Sequence, residues 1–405
     1  MEPRPRIAIL FRYPIHDHED LNNIFPGVMK RLAESCEVHY LSHRSTRPHP
    51  LHQHPGLFFH ELPWGLNRRR LADKWFKTLL WLALAPVLGL WCRIKRMDLV
   101  YVEESIPVLG WLLAVFSGRP TAMSGGDMFW DVVLPGQGWG RPLRKILPAW
   151  ENICWRRLHG IISRTGALRD HLIQLGVPPD HIRVVTEATE AHIFYPLPRT
   201  EARAQLQYAA DEFLIGHHGL VQANKALDRI IRFMQPLAAA HPHLRLVISG
   251  DGPDRPRLER MVQQEGMGGW VRFVGWLPGT QGLNLFLNAC DVSLVNREGR
   301  FSDHFQVTAN LLHSLSCGCT TLAARLRGIA ELVDDGQNGL LFDPDNGDEF
   351  RAKLERLLTD PDLRARLGQA ALHTARTRLA PETVTATWAS ALLDFARVKP
   401  EKNSP

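Results

Sequence analysis

Short apolar runs alternate with longer helical stretches along almost the whole chain. The spacing predicts strands over 6–11 (RIAILF), 37–41, 98–103, 120–123, 160–163 and 181–186, with helices over 22–34, 106–118, about 142–158 and 165–175. After Pro196 the pattern restarts. An entry helix over 197–206 precedes strands at 214–218, 244–249, 271–274, 291–295 and 320–324. Segments 328–334 and 339–342 close that core. Helices fall at 226–239, 255–265, 281–289 and 307–316, and three more end the chain at 347–357, 361–376 and 381–397. Strand–helix alternation at this spacing predicts an α/β fold with parallel sheets covered on both faces, built twice in tandem.

Two stretches depart from that rhythm. Residues 79–92 (LLWLALAPVLGLWC) are apolar throughout and flanked by Lys74, Lys77, Arg93, Lys95 and Arg96. Fourteen residues fall short of the ~20 that span a bilayer, so the run reads as a core helix kinked at Pro86. The competing reading is an interfacial segment, with Trp75, Trp81 and Trp91 as anchors and Arg68, Arg69 and Arg70 nearby, resting on an anionic membrane through residues 68–96. The second stretch, SHRSTRPHPLHQHPG (42–56), holds irregularly spaced histidines and prolines without nearby carboxylates and reads as a loop rather than a metal site.

Composition narrows the function. At 405 residues, 45% hydrophobic and 22% charged, the chain has the length and balance of two globular domains. Its +6 charge is uneven: 25 bases against 18 acids up to residue 200 leave +7, and 23 against 24 beyond it leave −1. No nucleic-acid motif accompanies that charge, so no nucleic acid is expected as a partner. Six scattered cysteines, with Cys317 and Cys319 too close for a two-cysteine knuckle, predict free thiols. The first residues lack the pattern of a signal peptide. The expected location is cytoplasmic, peripheral on the cytoplasmic face of a membrane under the interfacial reading.

Small ligands of open α/β sheets sit at the carboxyl ends of strands, where glycine turns and helix N-termini expose N–H groups. Three such places occur: Ser124–Asp127, Gly219–Lys225 with a lysine suited to phosphate, and Gly250-Asp-Gly252-Pro. None is a phosphate-binding loop of the G-x-x-x-x-G-K-[ST] type or a dinucleotide fingerprint, which argues against an ATPase or a nicotinamide enzyme.

The order of these and neighbouring stretches resembles the GT-B glycosyltransferases, specifically the large retaining family 4. GLVQANKALDRIIRFMQPL (219–237), LRLVISGDGPDRPRLERM (244–261), VRFVGWLP (271–278), ACDVSLV (289–295), LLHSLSCGCTTLAA (311–324) and GIAELVDDGQNGLLFDPDN (328–346) carry it in the second half. SRTGALRDHLIQLGVPPDHIRVV (163–185) and GGDMFW (125–130) carry it in the first. The resemblance implies two Rossmann-like domains facing a cleft: an acceptor-side domain over 1–196, a nucleotide-sugar domain over 197–380, and a crossover helix and tail over 381–405. It implies metal-independent transfer of a sugar from a nucleotide-diphosphate sugar, with retention of configuration, to a hydroxyl of a saccharide or lipid-linked acceptor.

Several family positions are altered. Lys225 keeps the lysine directed at the diphosphate, but the arginine beside the glycine is Leu220. The two glutamates eight apart become Phe305 and His313. The implied donor-site residues are Gly219, Lys225, Gly250, Gly252, His313 and Glu331, with Asp127 and Lys225 as the catalytic pair. His16, Asp17, Glu298, Arg300 and Asp303 are further candidates for the sugar or acceptor, Arg300 also for the lost arginine, and Glu190 for a turn between the domains. The alternative is a GT-B-like binding or partner subunit that has lost turnover.

Overall fold

The computed structural model describes residues 4–15, 24–45, 47–62, 71–126, 128, 143–188 and 191–397, without the side chains of 71–77 and 143–145. The chain forms two compact units, Met1–Thr186 with Pro381–Pro405, and Glu187–Ala380. Residues just before Pro196 already belong to the second unit: the Tyr195 and Leu197 N–H groups donate to Asn284 and Asn288 at 3.1 and 2.7 Å.

The first unit runs β1 (Arg6–Leu10), α1 (Phe25–Ala33), β2 (Glu37–His43), β3 (Leu57–Leu62), α2 (Leu71–Ile94), β4 (Leu99–Val102), α3 (Pro107–Ser117), β5 (Thr121–Gly125), α4 (Leu143–Arg156), β6 (Gly160–Ser163), α5 (Gly166–Gln174) and β7 (Ile182–Val184). Its seven parallel strands lie in the order β3-β2-β1-β4-β5-β6-β7. β3 is an edge strand that the hydrophobic pattern did not predict. Its LFFHEL sequence has one buried position, so it lacks the apolar run of the central strands.

The second unit follows with α6 (Arg199–Leu206), β8 (Phe213–His218), α7 (Leu227–Ala240), β9 (Leu244–Ser249), α8 (Arg255–Gln264), β10 (Val271–Gly275), α9 (Gly279–Ala289), β11 (Val292–Val295), α10 (Ala309–Ser316), β12 (Thr321–Ala324), α11 (Arg327–Ala330), β13 (Leu340–Phe342), α12 (Gly347–Thr359) and α13 (Pro361–Arg378). Its parallel order is β10-β9-β8-β11-β12-β13. Both sheets are Rossmann-like. In each, the chain winds outward from the first strand in one direction and then crosses to the other side, so β1/β4 and β8/β11 are the switch points where such sheets bind ligands.

The last helix, α14 (Pro381–Arg397), returns to the first unit, as the GT-B resemblance implies. Trp388 on α14 is fully buried, stands edge-on to Phe25 of α1 at 5.8 Å and donates to the Tyr101 hydroxyl at 3.3 Å. Gly160 makes this contact possible, because a Cβ there would stand 2.7 Å from the Phe395 ring.

α2 buries Trp81, Ala85, Leu88 and Cys92 against the unit. Trp81 donates to His43 at 3.1 Å, and Trp91 packs on His60 with ring centroids 4.8 Å apart. These two tryptophans face protein, which corrects their reading as interfacial anchors. The Trp75 side chain lies outside the described residues. Among the described residues, no helix is long and apolar enough to cross a membrane. All six cysteines are free and buried. The histidines of the 42–56 loop join no group of three metal-ligating side chains among the described residues. His49 instead caps the short turn Pro50–Gln53.

Candidate functional site

All six residues of β8 are buried, and the strand ends at Gly219, whose φ of +115° lies in the region that favours glycine. The turn after β9 packs directly on it. A Cβ on Gly250 would stand 1.9 Å from the Gly219 carbonyl oxygen, and one on Gly252 would stand 2.2 Å from that of Val221. Backbone bonds from Gly219 to Ser249 (2.9 Å) and from Val221 to Asp251 (3.0 Å) lock the two turns together. Glycine is required at 250 and 252 by this close backbone approach.

The chain then makes a 3-10 turn, Ala223–Lys225, before α7 begins. The loop after β11 is fastened to this turn at two points. Asn296 donates from its side-chain amide to the Lys225 carbonyl at 2.8 Å, and the Glu298 N–H donates to the Asn224 carbonyl at 2.8 Å. Lys225 and Arg297 are thereby brought side by side. Arg297 donates to the Asp303 carboxylate at 2.8 Å, and Asp303, 2% exposed, also accepts the Arg300 N–H at 3.0 Å.

Lys225 is 8% exposed and, among the described residues, forms no ion pair. Burial and then the Arg297 charge push its ammonium down from 10.5 to about 8, with Asp303 offsetting part of the shift. Two cations and one buried carboxylate therefore occupy this switch point. The neighbouring Glu298 and Arg300 pair with each other at 2.6 Å and leave the balance unchanged.

A histidine group stands beside the cations. His217 engages the Leu294 carbonyl through Nδ1 at 3.2 Å. His218 meets His313 of α10 ring nitrogen to ring nitrogen at 3.3 Å, and the His313 ring stacks on Phe194 at 3.9 Å. Burial, and for His217 also the Lys225 charge, lowers His217 to about 4; burial alone brings His313 to about 4. His218 is lowered further by burial and its charged or imidazole neighbours. All three are neutral near pH 7, which leaves the positive charge with Lys225 and Arg297.

The corresponding switch point of the first unit also holds buried charges. Arg12, just past β1, pairs with Glu104 at 2.7 Å and donates to the Thr78 hydroxyl at 2.8 Å. Glu103 accepts from the Tyr101 hydroxyl and from Arg164 at 2.9 Å, and Arg164 lies 4.2 Å over the Trp388 ring. Burial raises Glu104 to about 7, a shift that Arg12 opposes and Glu103 reinforces. Two arginines face two glutamates here.

Residues 198–374 match the family model described as glycosyl transferases group 1, and residues 23–187 match the glycosyl transferase 4-like domain. The two segments cover most of both units. Each unit is thus similar to a glycosyltransferase domain, and together they have the GT-B fold. The chain is 31% identical over 227 residues to a D-inositol 3-phosphate glycosyltransferase of Stackebrandtia nassauensis, covering 53% of this chain and 50% of that protein. It is 30% identical over 204 residues to the lipopolysaccharide core biosynthesis glycosyltransferase LpsD of Rhizobium meliloti, covering 50% and 55%. The chain spans about half the length of the curated relatives it matches. Among solved structures, sucrose-phosphate synthase from Thermosynechococcus elongatus matches with a TM-score of 0.71 at 17% identity, covering 96% of this chain and 99% of that one. HepE of Anabaena, solved in complex with UDP and glucose, matches at 0.68 and 17%, covering 96% and 100%.

Within the second unit, the fold brings together Gly219, Lys225, Gly250 and Gly252, and links Glu298, Arg300 and Asp303 to them through the loop after β11. His313 joins through His218. Glu331 follows α11, half-buried, with its carbonyl accepting from Arg378 at 2.6 Å. Asp303 is held by Arg297, and Arg300 by Glu298. In the first unit, His16, Asp17 and Asp127 lie outside the described residues, as does Glu190 of the second unit. Sequence reasoning passed over Arg297 and His218. The signal for Arg297 was a basic residue directly after a buried strand, two positions beyond Val295. His218 showed only as the end of that kind of strand.

Proposed function

We propose that this protein moves a sugar from a nucleotide-diphosphate sugar to a hydroxyl of a saccharide or lipid-linked acceptor, with retention of anomeric configuration. The observation that carries the proposal is the excess positive charge of Lys225 and Arg297 over Asp303 where the glycine turns after β8 and β9 meet. A diphosphate supplies the missing negative charge. As the glycosidic bond to phosphate breaks, negative charge grows on the leaving diphosphate, and cations already in place stabilise it without reorganisation. With that charge supplied by side chains, the reaction is proposed to need no metal.

The second unit is proposed to bind the donor. Lys225 and Arg297 meet the phosphates, with Arg297 filling the part of the arginine replaced by Leu220. Gly219, Gly250 and Gly252 admit the ligand close to the backbone, and His313 and Glu331 face the nucleoside. Asp303 positions Arg297. Glu298 and Arg300 border the sugar. The first unit is proposed to bind the acceptor, with Asp127 as its orienting carboxylate and His16 and Asp17 as further acceptor contacts. The proposed setting is cytoplasmic, at the cytoplasmic face of a membrane when the acceptor is lipid-linked.

A binding or partner subunit is the second reading, favoured by the neutral imidazole of His313 where the family resemblance implies a carboxylate. Calorimetry against UDP, GDP and their sugars, followed by an assay for hydrolysis and transfer, separates the two. Binding with turnover is the expected result. Binding without turnover assigns the second reading, and binding of none of the nucleotides overturns the transferase reading.

A further inference from the structure

The outer layer of the first unit carries a feature that sugar transfer does not use. Right-handed crossovers between parallel strands place α2, α3 and α4 on one face of the sheet, since each joins strands advancing in the same direction across it. On the side of α2 turned away from the sheet, Val87, Leu90 and Ile94 are 64%, 51% and 70% exposed. Their spacing of three and four residues sets them in one stripe. Phe116 of α3 is also exposed and lies against α2: a Cβ on Gly89 would stand 2.7 Å from the Phe116 Cβ. Trp150 and Ile153 form a second exposed stripe, three residues apart on α4.

Charge around these stripes is mainly positive. Among the described side chains of α2, α3 and α4 the one acid, Glu151, is buried, and the charged residues that reach solvent are Arg93 and Arg156. Lys95, Arg96 and Arg157 follow immediately and are exposed. The three helices run antiparallel to the strands they connect, so their C-terminal ends, and these cations, gather along the same edge of the layer. Basic residues at helix C-termini favour the helix dipole, but that role leaves the apolar stripes unexplained. Asp98 is the exposed acid beside these cations. An apolar surface edged mainly by cations is complementary to a bilayer with anionic headgroups.

We propose that the outer face of α2, α3 and α4 seats the protein on anionic phospholipid. The apolar stripes enter the headgroup boundary, and Arg93, Lys95, Arg96, Arg156 and Arg157 lie against the lipid phosphates. This inference does not depend on the glycosyltransferase reading. Its residues differ from those expected from sequence, because Trp81 and Trp91 turn inward.

Vesicle flotation tests it with the full chain, using phosphatidylcholine alone and phosphatidylcholine with phosphatidylglycerol. The expected result is at least about tenfold greater recovery with the anionic vesicles, released by high salt. The variant Val87→Glu/Leu90→Glu should lose that recovery while keeping its circular dichroism and melting temperature, since both positions are exposed. Arg93→Glu/Arg96→Glu should lose the preference for anionic lipid. Absence of flotation by the intact protein overturns the proposal, as does full flotation of the folded Val87→Glu/Leu90→Glu variant. A dimer seen by light scattering, abolished by that variant and unaccompanied by flotation, would assign the face to a second copy and likewise overturn it.

Discussion

The two sheets place buried charge at the same topological position but balance it differently. At the β1/β4 switch point Arg12 and Arg164 face Glu103 and Glu104, and further bonds come from Tyr101, Thr78 and Ser124. At the β8/β11 switch point Lys225 and Arg297 share Asp303. Burying a charge is costly unless it is compensated. The first cluster is complete within the protein and works as a scaffold. The second remains one negative charge short, a state that makes sense for a site completed by an anionic ligand.

The largest expected effect lies in the balanced cluster. Arg12→Ala leaves Glu104 buried without its partner and should cost about 3 kcal/mol of stability at pH 8. Burial already raises Glu104 to about 7, so the carboxyl takes up a proton at pH 6 and the cost should shrink there. Urea unfolding at the two pH values measures both. An equal loss at each would show that Glu104 stays ionised.

The opposite sign is expected at Lys225. Its neutral isostere, Lys225→Met, removes a buried cation that lacks a carboxylate of its own and should stabilise the unliganded protein by about 1 kcal/mol. Calorimetric melting without nucleotide checks this, and a lower melting temperature would mean the cation is compensated in the free protein.

The same group sets a pH dependence. Its value near 8 in the folded chain lies below the ordinary 10.5, so between those values the unfolded chain binds more protons and Lys225 makes stability rise with pH. Nucleotide affinity should move the other way, weakening above pH 8 as the ammonium deprotonates. In Lys225→Arg the decline should vanish up to pH 10, because arginine keeps its charge. A decline that persists in that variant would place the titrating group elsewhere.

A smaller effect is expected at His313. His313→Glu puts a carboxylate where the neutral imidazole stacks on Phe194 and should change UDP affinity by no more than about tenfold. A large gain would mean that the imidazole weakens donor binding, in line with the partner-subunit reading.

Most of the fold was legible because central strands of a parallel sheet are continuous apolar runs, as in Leu99–Val102, and glycine marks the ends of others. β3 was not, because an edge strand with one buried position has no such run. The sidedness of α2 was hidden for a related reason: residues 79–92 are apolar on every face, so the sequence carried no periodicity to say which side meets protein. At the site, Lys225 and the glycines were readable from local spacing. The partnership of Arg297 with Lys225 was not, since it arises only when the loops after β8 and β11 are zipped together by Asn296 and Glu298. The Arg297–Asp303 pair was hidden for the same reason.

The central claim, that the uncompensated charge at β8/β11 is a diphosphate site, is tested most directly by calorimetric titration of UDP and uridine into the native protein and Lys225→Ala/Arg297→Ala. The account predicts that the native protein prefers UDP by about 100-fold, the scale of two charge-assisted contacts, and that the double variant loses nearly all of that preference. A double variant that is folded and still prefers UDP to the same degree would contradict it.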